Sequence, residues 1–130
     1  MPAMLMKHKI EPKEKLLSEI GDLSKIDIFN NLVLVALYIR PNVTDSGIIL
    51  TDKTVDEDIY QSKVGLIVKK GKTAFADDSG VWFAGEKFEL GDWVVSRASD
   101  GWAITINKVA CRIIEDVNIK GRTDHPDKIW

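Results

Sequence analysis

Leu32-Val33-Leu34-Val35-Ala36-Leu37-Tyr38-Ile39 decides the fold. The run is rich in β-branched side chains and apolar at both odd and even positions. Such a strand is either buried on both sides or has one side in the core and the other in a subunit interface. Arg40-Pro41 ends it, because proline donates no ladder bond and holds its predecessor extended. Towards the C-terminus, Lys63-Val64-Gly65-Leu66-Ile67-Val68-Lys69-Lys70 reads as a second strand. Its Gly65 marks a bulge or a close contact, and Gly71-Lys72 breaks it. Residues 72–87 predict a hairpin, with Asp77-Asp78-Ser79-Gly80 as the turn between Phe75 and Val81-Trp82-Phe83.

Beyond it, Glu89-Leu90-Gly91-Asp92 is a turn feeding Trp93-Val94-Val95. Asp100-Gly101 is a turn before Trp102-Ala103-Ile104-Thr105-Ile106. The last strand signals are Val109–Ile114 and Val117–Ile119. Short strands separated by turn residues at this spacing predict a small all-β barrel or sandwich.

Residues 1–29 have another character. Pro12 suits the first turn of a helix, where its missing N–H costs nothing. Leu16, Ile20 and Leu23 then fall on one stripe. A helix this short is marginal alone, so the stripe must lie on the main body or on a neighbouring subunit. Gly21 is expected to weaken it by about 1 kcal/mol relative to alanine. In the tail after Arg122, Trp130 is expected to pack against something rather than stand in water.

A chain of 130 residues is long enough to bury one core without staples. A net charge of -2 offers nucleic acid no basic face. No stretch approaches the roughly 20 apolar residues of a membrane span, and Met1–Lys9 is not a signal peptide. The lone Cys111 suits a reducing cytoplasm, and its alternation with Val109 and Ile113 makes it a small core residue. His8 and His125 have no ligand-like spacing with Cys111, so no metal is expected. Asp56-Glu57-Asp58 lacks the spacing and glycine of a calcium loop. Glycine motifs for phosphate are missing. These residues predict no enzyme and no cofactor.

Between the first two strands lies Ser46-Gly47-Ile48-Ile49-Leu50-Thr51-Asp52-Lys53-Thr54. Three bulky apolar residues within a polar segment build no core of their own. They form either a short strand docked elsewhere in the fold or a segment held for a partner.

In order and spacing, several segments together resemble the GroES-type co-chaperonin family. They are Val33-Leu34-Val35-Ala36, the segment carrying Ser46–Leu50, Gly65–Gly71, Leu90–Val95, Asp100-Gly101-Trp102 and Val109–Val117. The resemblance covers residues 30–122. Residues 1–29 and the tail at 123–130 have no counterpart in the usual bacterial cofactor, and the tail with the tryptophan-rich middle is similar to phage-encoded versions.

The resemblance implies a small, partly open β-barrel with a mobile loop, a roof hairpin at residues 71–86 and, here, a short N-terminal helix. It implies a homo-oligomeric ring, expected to be a heptamer, in the cytoplasm of a bacterium or of a phage host. The ring caps an ATP-bound GroEL-type chaperonin and encloses unfolded substrate protein. Gly47, Ile48, Ile49 and Leu50 fall on the family's chaperonin-docking pattern, with Ile49 replacing the commoner valine. Trp102 stands where the family places a chamber-facing tyrosine. Val33, Val35 and Leu37, with Val117 and Ile119, are the expected subunit interface.

Burying the three loop side chains yields about 1.5–3 kcal/mol each, whereas ordering each loop residue costs about 1–2 kcal/mol. One loop therefore binds weakly, and a ring of loops binds through multivalency. The alternative is a virion or other structural protein that reuses the barrel without a chaperonin. The barrel of a zinc-dependent alcohol dehydrogenase is excluded by the missing ligands and the missing dinucleotide-binding half.

Overall fold

The computed structural model describes residues 10–39, 62–76, 83 and 86–129. Among these residues there are six strands: β1 (Leu32–Leu37), β2 (Val64–Lys70), β3 (Trp93–Val95), β4 (Trp102–Ile106), β5 (Val109–Glu115) and β6 (Gly121–Thr123). They form one antiparallel sheet in the order β4-β5-β1-β2-β3-β6, whose edges β4 and β6 do not pair, so the sheet is not closed. One short helix, α1 (Pro12–Ile20), accompanies it among the described residues. The fold is therefore mainly β.

β1 lies inside the sheet, hydrogen-bonded to β2 on one side and β5 on the other. Both of its faces are buried. Leu34, Ala36 and Tyr38 pack with Leu66, Trp93 and Cys111. Val33, Val35 and Leu37 pack with Ile67, Val94 and Ile114. The β1–β2 register slips by one between Leu34 and Val35, whose partners are Lys69 and Ile67, so Val68 is the extra residue of a bulge. Gly65 is the close-contact point: a Cβ there would lie 2.8 Å from the Val35 Cβ.

The stripe of α1 lies on this body, with Ile20 buried and Leu16 and Leu23 packed against the first cluster. Gly21 does not weaken the helix from within, as the stripe predicted. It sits just beyond the helix at φ 70, and its N–H donates to the Leu17 carbonyl, so it ends the helix. Two long-range donors fix the end of the helix and the turn after it. Asn107 Nδ2 donates to the Ile20 carbonyl at 2.6 Å, and Lys69 Nζ donates to that of Leu23 at 2.5 Å.

A further expectation is corrected. Val117–Ile119 is no strand, because a 3-10 turn occupies Asp116–Asn118. The buried Asp116 carboxylate accepts from Asn31 Nδ2 at 3.1 Å and from the Phe75 N–H at 2.8 Å, and these bonds bend the chain there. The described residues of the expected hairpin form turns and no strand. Its Asp77–Gly80 turn lies outside the described residues, as does Trp130. Among the described residues here three aromatic rings cluster: Phe75 stacks on Phe88 at 4.5 Å, and Phe83 meets both edge-on. The final strand, β6, runs from Gly121 to Thr123 across the boundary drawn at residue 122.

β4 and β5 are joined by the two-residue turn Asn107-Lys108, both at positive φ (49 and 68). That is the geometry of a tight hairpin turn, which favours glycine second. Lysine there carries left-handed strain. Replacing Lys108 with glycine is therefore expected to raise stability by about 1 kcal/mol, read from the urea midpoint.

Candidate functional site

Residues 40–61 lie outside the described residues, and the described residues that flank them, after β1 and before β2, are tightly bonded. The Tyr38 N–H donates to the Val64 carbonyl at 3.0 Å. Ser62, fully buried, shares its hydroxyl hydrogen between the Tyr38 and Val64 carbonyls at 2.9 and 3.1 Å. Arg112, on β5, reaches in and donates from Nη1 to the Ser62 carbonyl at 3.2 Å. Buried groups of this kind are costly unless bonded, so the two ends of the segment are fixed to each other and to β5.

Arg112 is 4% exposed, and burial holds its guanidinium below the ordinary arginine range, with the nearby Asp100 opposing that. Asp100 itself receives Arg97 Nη2 at 3.2 Å and the Arg97 N–H. The C-terminal segment joins the base as well. The Tyr38 hydroxyl donates to the buried Asp127 carboxylate, and the Tyr38 ring meets Trp93 edge-on at 5.9 Å. Asp127 N–H in turn donates to His125 Nδ1 at 3.2 Å. No local motif announces these pairs. Tyr38 and Asp127 are 89 positions apart, and Arg112 and Ser62 are 50 apart.

Gly47, Ile48, Ile49 and Leu50 lie outside the described residues. Trp102 is 79% exposed at the start of the edge strand β4, after the Asp100-Gly101 turn. Val33, Val35 and Leu37 are at most 2% exposed and already covered within the single chain. Ile119 packs against the same cluster from above, while Val117 is 37% exposed. Beside these two, Phe83, Phe88 and Arg122 line a groove of about 360 Å³. Arg122 stands 5.0 Å over the Phe88 ring and bonds Glu86 at 2.9 Å. In this arrangement only Val117 and Ile119 of the five interface candidates offer surface. Val35→Asp is therefore expected to unfold the chain itself, by several kcal/mol for an unpaired buried charge, with loss of the far-UV β signal.

Among the described residues, no three His, Cys, Asp or Glu side chains cluster as a metal site would need. No described helix is long and apolar enough to cross a membrane. Cys111 packs in the first cluster, and burial pushes its thiol up to about 11 from 9.0. The unfolded chain releases that proton near pH 9, and the folded one holds it to about 11. The unfolded state thus binds fewer protons in that window, and stability falls as pH rises through it. Denaturant midpoints measured from pH 8 to 11 are expected to show this slope, and Cys111→Ala should remove its share.

Scanned against models of known protein families the chain matches none, and no curated protein is similar to it.

Proposed function

We propose that the chain is a co-chaperonin of the GroES type, with the open β-sheet as its barrel. The observation that carries the reading is the bonded base of residues 40–61. A docking segment works when its anchor residues are presented from a fixed point, so that binding does not also have to order the attachment. Ser62, Arg112 and Tyr38 supply such a point, and Ile48, Ile49 and Leu50 belong to the segment it holds. In this reading Gly47–Leu50 docks on a GroEL-type chaperonin in its ATP-bound state.

The subunits assemble into a ring, a heptamer on the family pattern, and the exposed Trp102 faces the enclosed substrate. The groove at Val117 and Ile119 is the part of the expected interface that has surface to offer a neighbour, with Val33, Val35 and Leu37 supporting it from beneath. Weak single docking suits this role. Each segment gains little, while a ring of identical segments gains strongly, and the cap can still leave when its partner changes shape.

The test is ATP-dependent co-sedimentation with chaperonin of the wild-type protein and of Ile49→Ser, alongside native mass and thermal midpoint. Each truncated anchor loses about 1–3 kcal/mol per segment, which over a ring abolishes capping. The expected result is lost capping with an unchanged midpoint and native mass. Unimpaired capping with a lowered midpoint places Ile49 in the core and overturns the reading. A ring that never binds chaperonin favours a structural protein built on the same sheet.

A further inference from the structure

We propose that the free edge of β4 captures extended, uncharged polypeptide segments by adding them to the sheet as a further antiparallel strand. The proposal rests on the reading of Trp102 as chamber-facing and names the chemistry of its substrate contact.

Among the described residues, β4 has β5 as its only neighbour in the sheet. Its pairing is unbroken from Ile106↔Val109 to Trp102↔Ile113. Across a two-residue turn the closing pair, Ile106 and Val109, exchanges both hydrogen bonds. Alternation then makes Ile104–Cys111 and Trp102–Ile113 the other bonded pairs. The N–H and C=O of Ala103 and Thr105 therefore point away from the sheet, and both residues are exposed. Their groups recur about 6.8 Å apart, the two-residue repeat of a strand. Two donors and two acceptors at that spacing match another extended backbone.

Proteins ordinarily blunt such an edge with lysine, proline or a bulge. Trp102-Ala103-Ile104-Thr105-Ile106 has none of these. The opposite edge, β6, is handled differently: it is only three residues long, and its Arg122 bonds Glu86 and the Lys87 carbonyl. The edge of β4 is also uncharged throughout, and the nearest acid, Asp100, is buried and bonded to Arg97. An uncharged segment fits it without desolvating an ion, and backbone bonding accepts many sequences. Trp102, 79% exposed, supplies an apolar plate beside the first bonding position. A cap that meets many unfolded chains needs that tolerance.

The probe is a labelled, end-blocked decapeptide of alternating threonine and valine, followed by fluorescence anisotropy with the free protein. Thr105→Pro removes an outward N–H and no ladder bond, so its thermal midpoint should stay near wild type. Ala103→Pro is the second variant of the same kind. The expected result is binding by wild type that weakens at least tenfold in either variant. A peptide N-methylated at alternate amides on the bonding edge should fail to bind. No binding by wild type, or equal binding by both folded variants, overturns the proposal. So does self-association of the free protein that Thr105→Pro abolishes while the peptide stays unbound, since the occupant is then a second copy. Co-sedimentation with chaperonin in parallel separates the two readings. Capping without peptide binding overturns the edge proposal alone, and peptide binding without capping overturns the co-chaperonin reading alone.

Discussion

β1 is the constraint on which the rest of the structure depends. It is paired along both edges and buried on both faces, so every backbone and side-chain group of Val33–Leu37 is committed inside one chain. Each aliphatic side chain fully buried there contributes about 1.5–3 kcal/mol. β1 gives alternate residues to the two apolar clusters, and a one-residue change in its register would exchange them. The bulge at Val68 and the missing side chain at Gly65 adjust β2 so that both clusters can close against it.

The same strand determines how the polar groups are used. Where β1 ends, the chain departs for residues 40–61, and the carbonyls and hydroxyls exposed by that departure are buried. Ser62, Arg112 and Asp127 satisfy one another's neighbours there, drawing β5 and the C-terminal segment to a single point. Such a base suits a segment whose task is to reach a partner from a fixed origin, and this links the packing of β1 to the proposed docking of Ile48–Leu50.

The two edges of the sheet extend this logic outward. β6 is short, and its Arg122 is held over Phe88 and against Glu86. β4 is longer, uncharged and open, with Trp102 beside it. The two edges of the sheet therefore differ in length and in charge among the described residues. The bare edge is the surface best matched to extended chains, and the covered one lies next to the groove at Val117 and Ile119.

By itself the sequence determined what depends on local pattern. The doubly buried strand at Leu32, the strands at Val64, Trp93, Trp102 and Val109, the turns at Gly91 and Gly101, and the stripe Leu16-Ile20-Leu23 all follow from periodicity and turn chemistry, which act over a few residues. Cys111 was legible as core for the same reason. Tertiary structure alone decided what depends on distant partners. Asp116 turned an apparent strand at Val117 into a 3-10 turn because Asn31 and Phe75 bring donors to it. Gly21 stands just past the helix end, where Asn107 donates to the Ile20 carbonyl before it and Lys69 to the Leu23 carbonyl after it. Val33, Val35 and Leu37 read equally well as core or as interface, since an apolar face carries no mark of what covers it, and the chain's own Ile67, Val94 and Ile114 cover it here. Gly47–Leu50, the proposed docking residues, read only as an apolar island in a polar segment. The base that holds that segment was not legible, because hydrogen bonds between residues 50 and 89 positions apart leave no trace in local sequence.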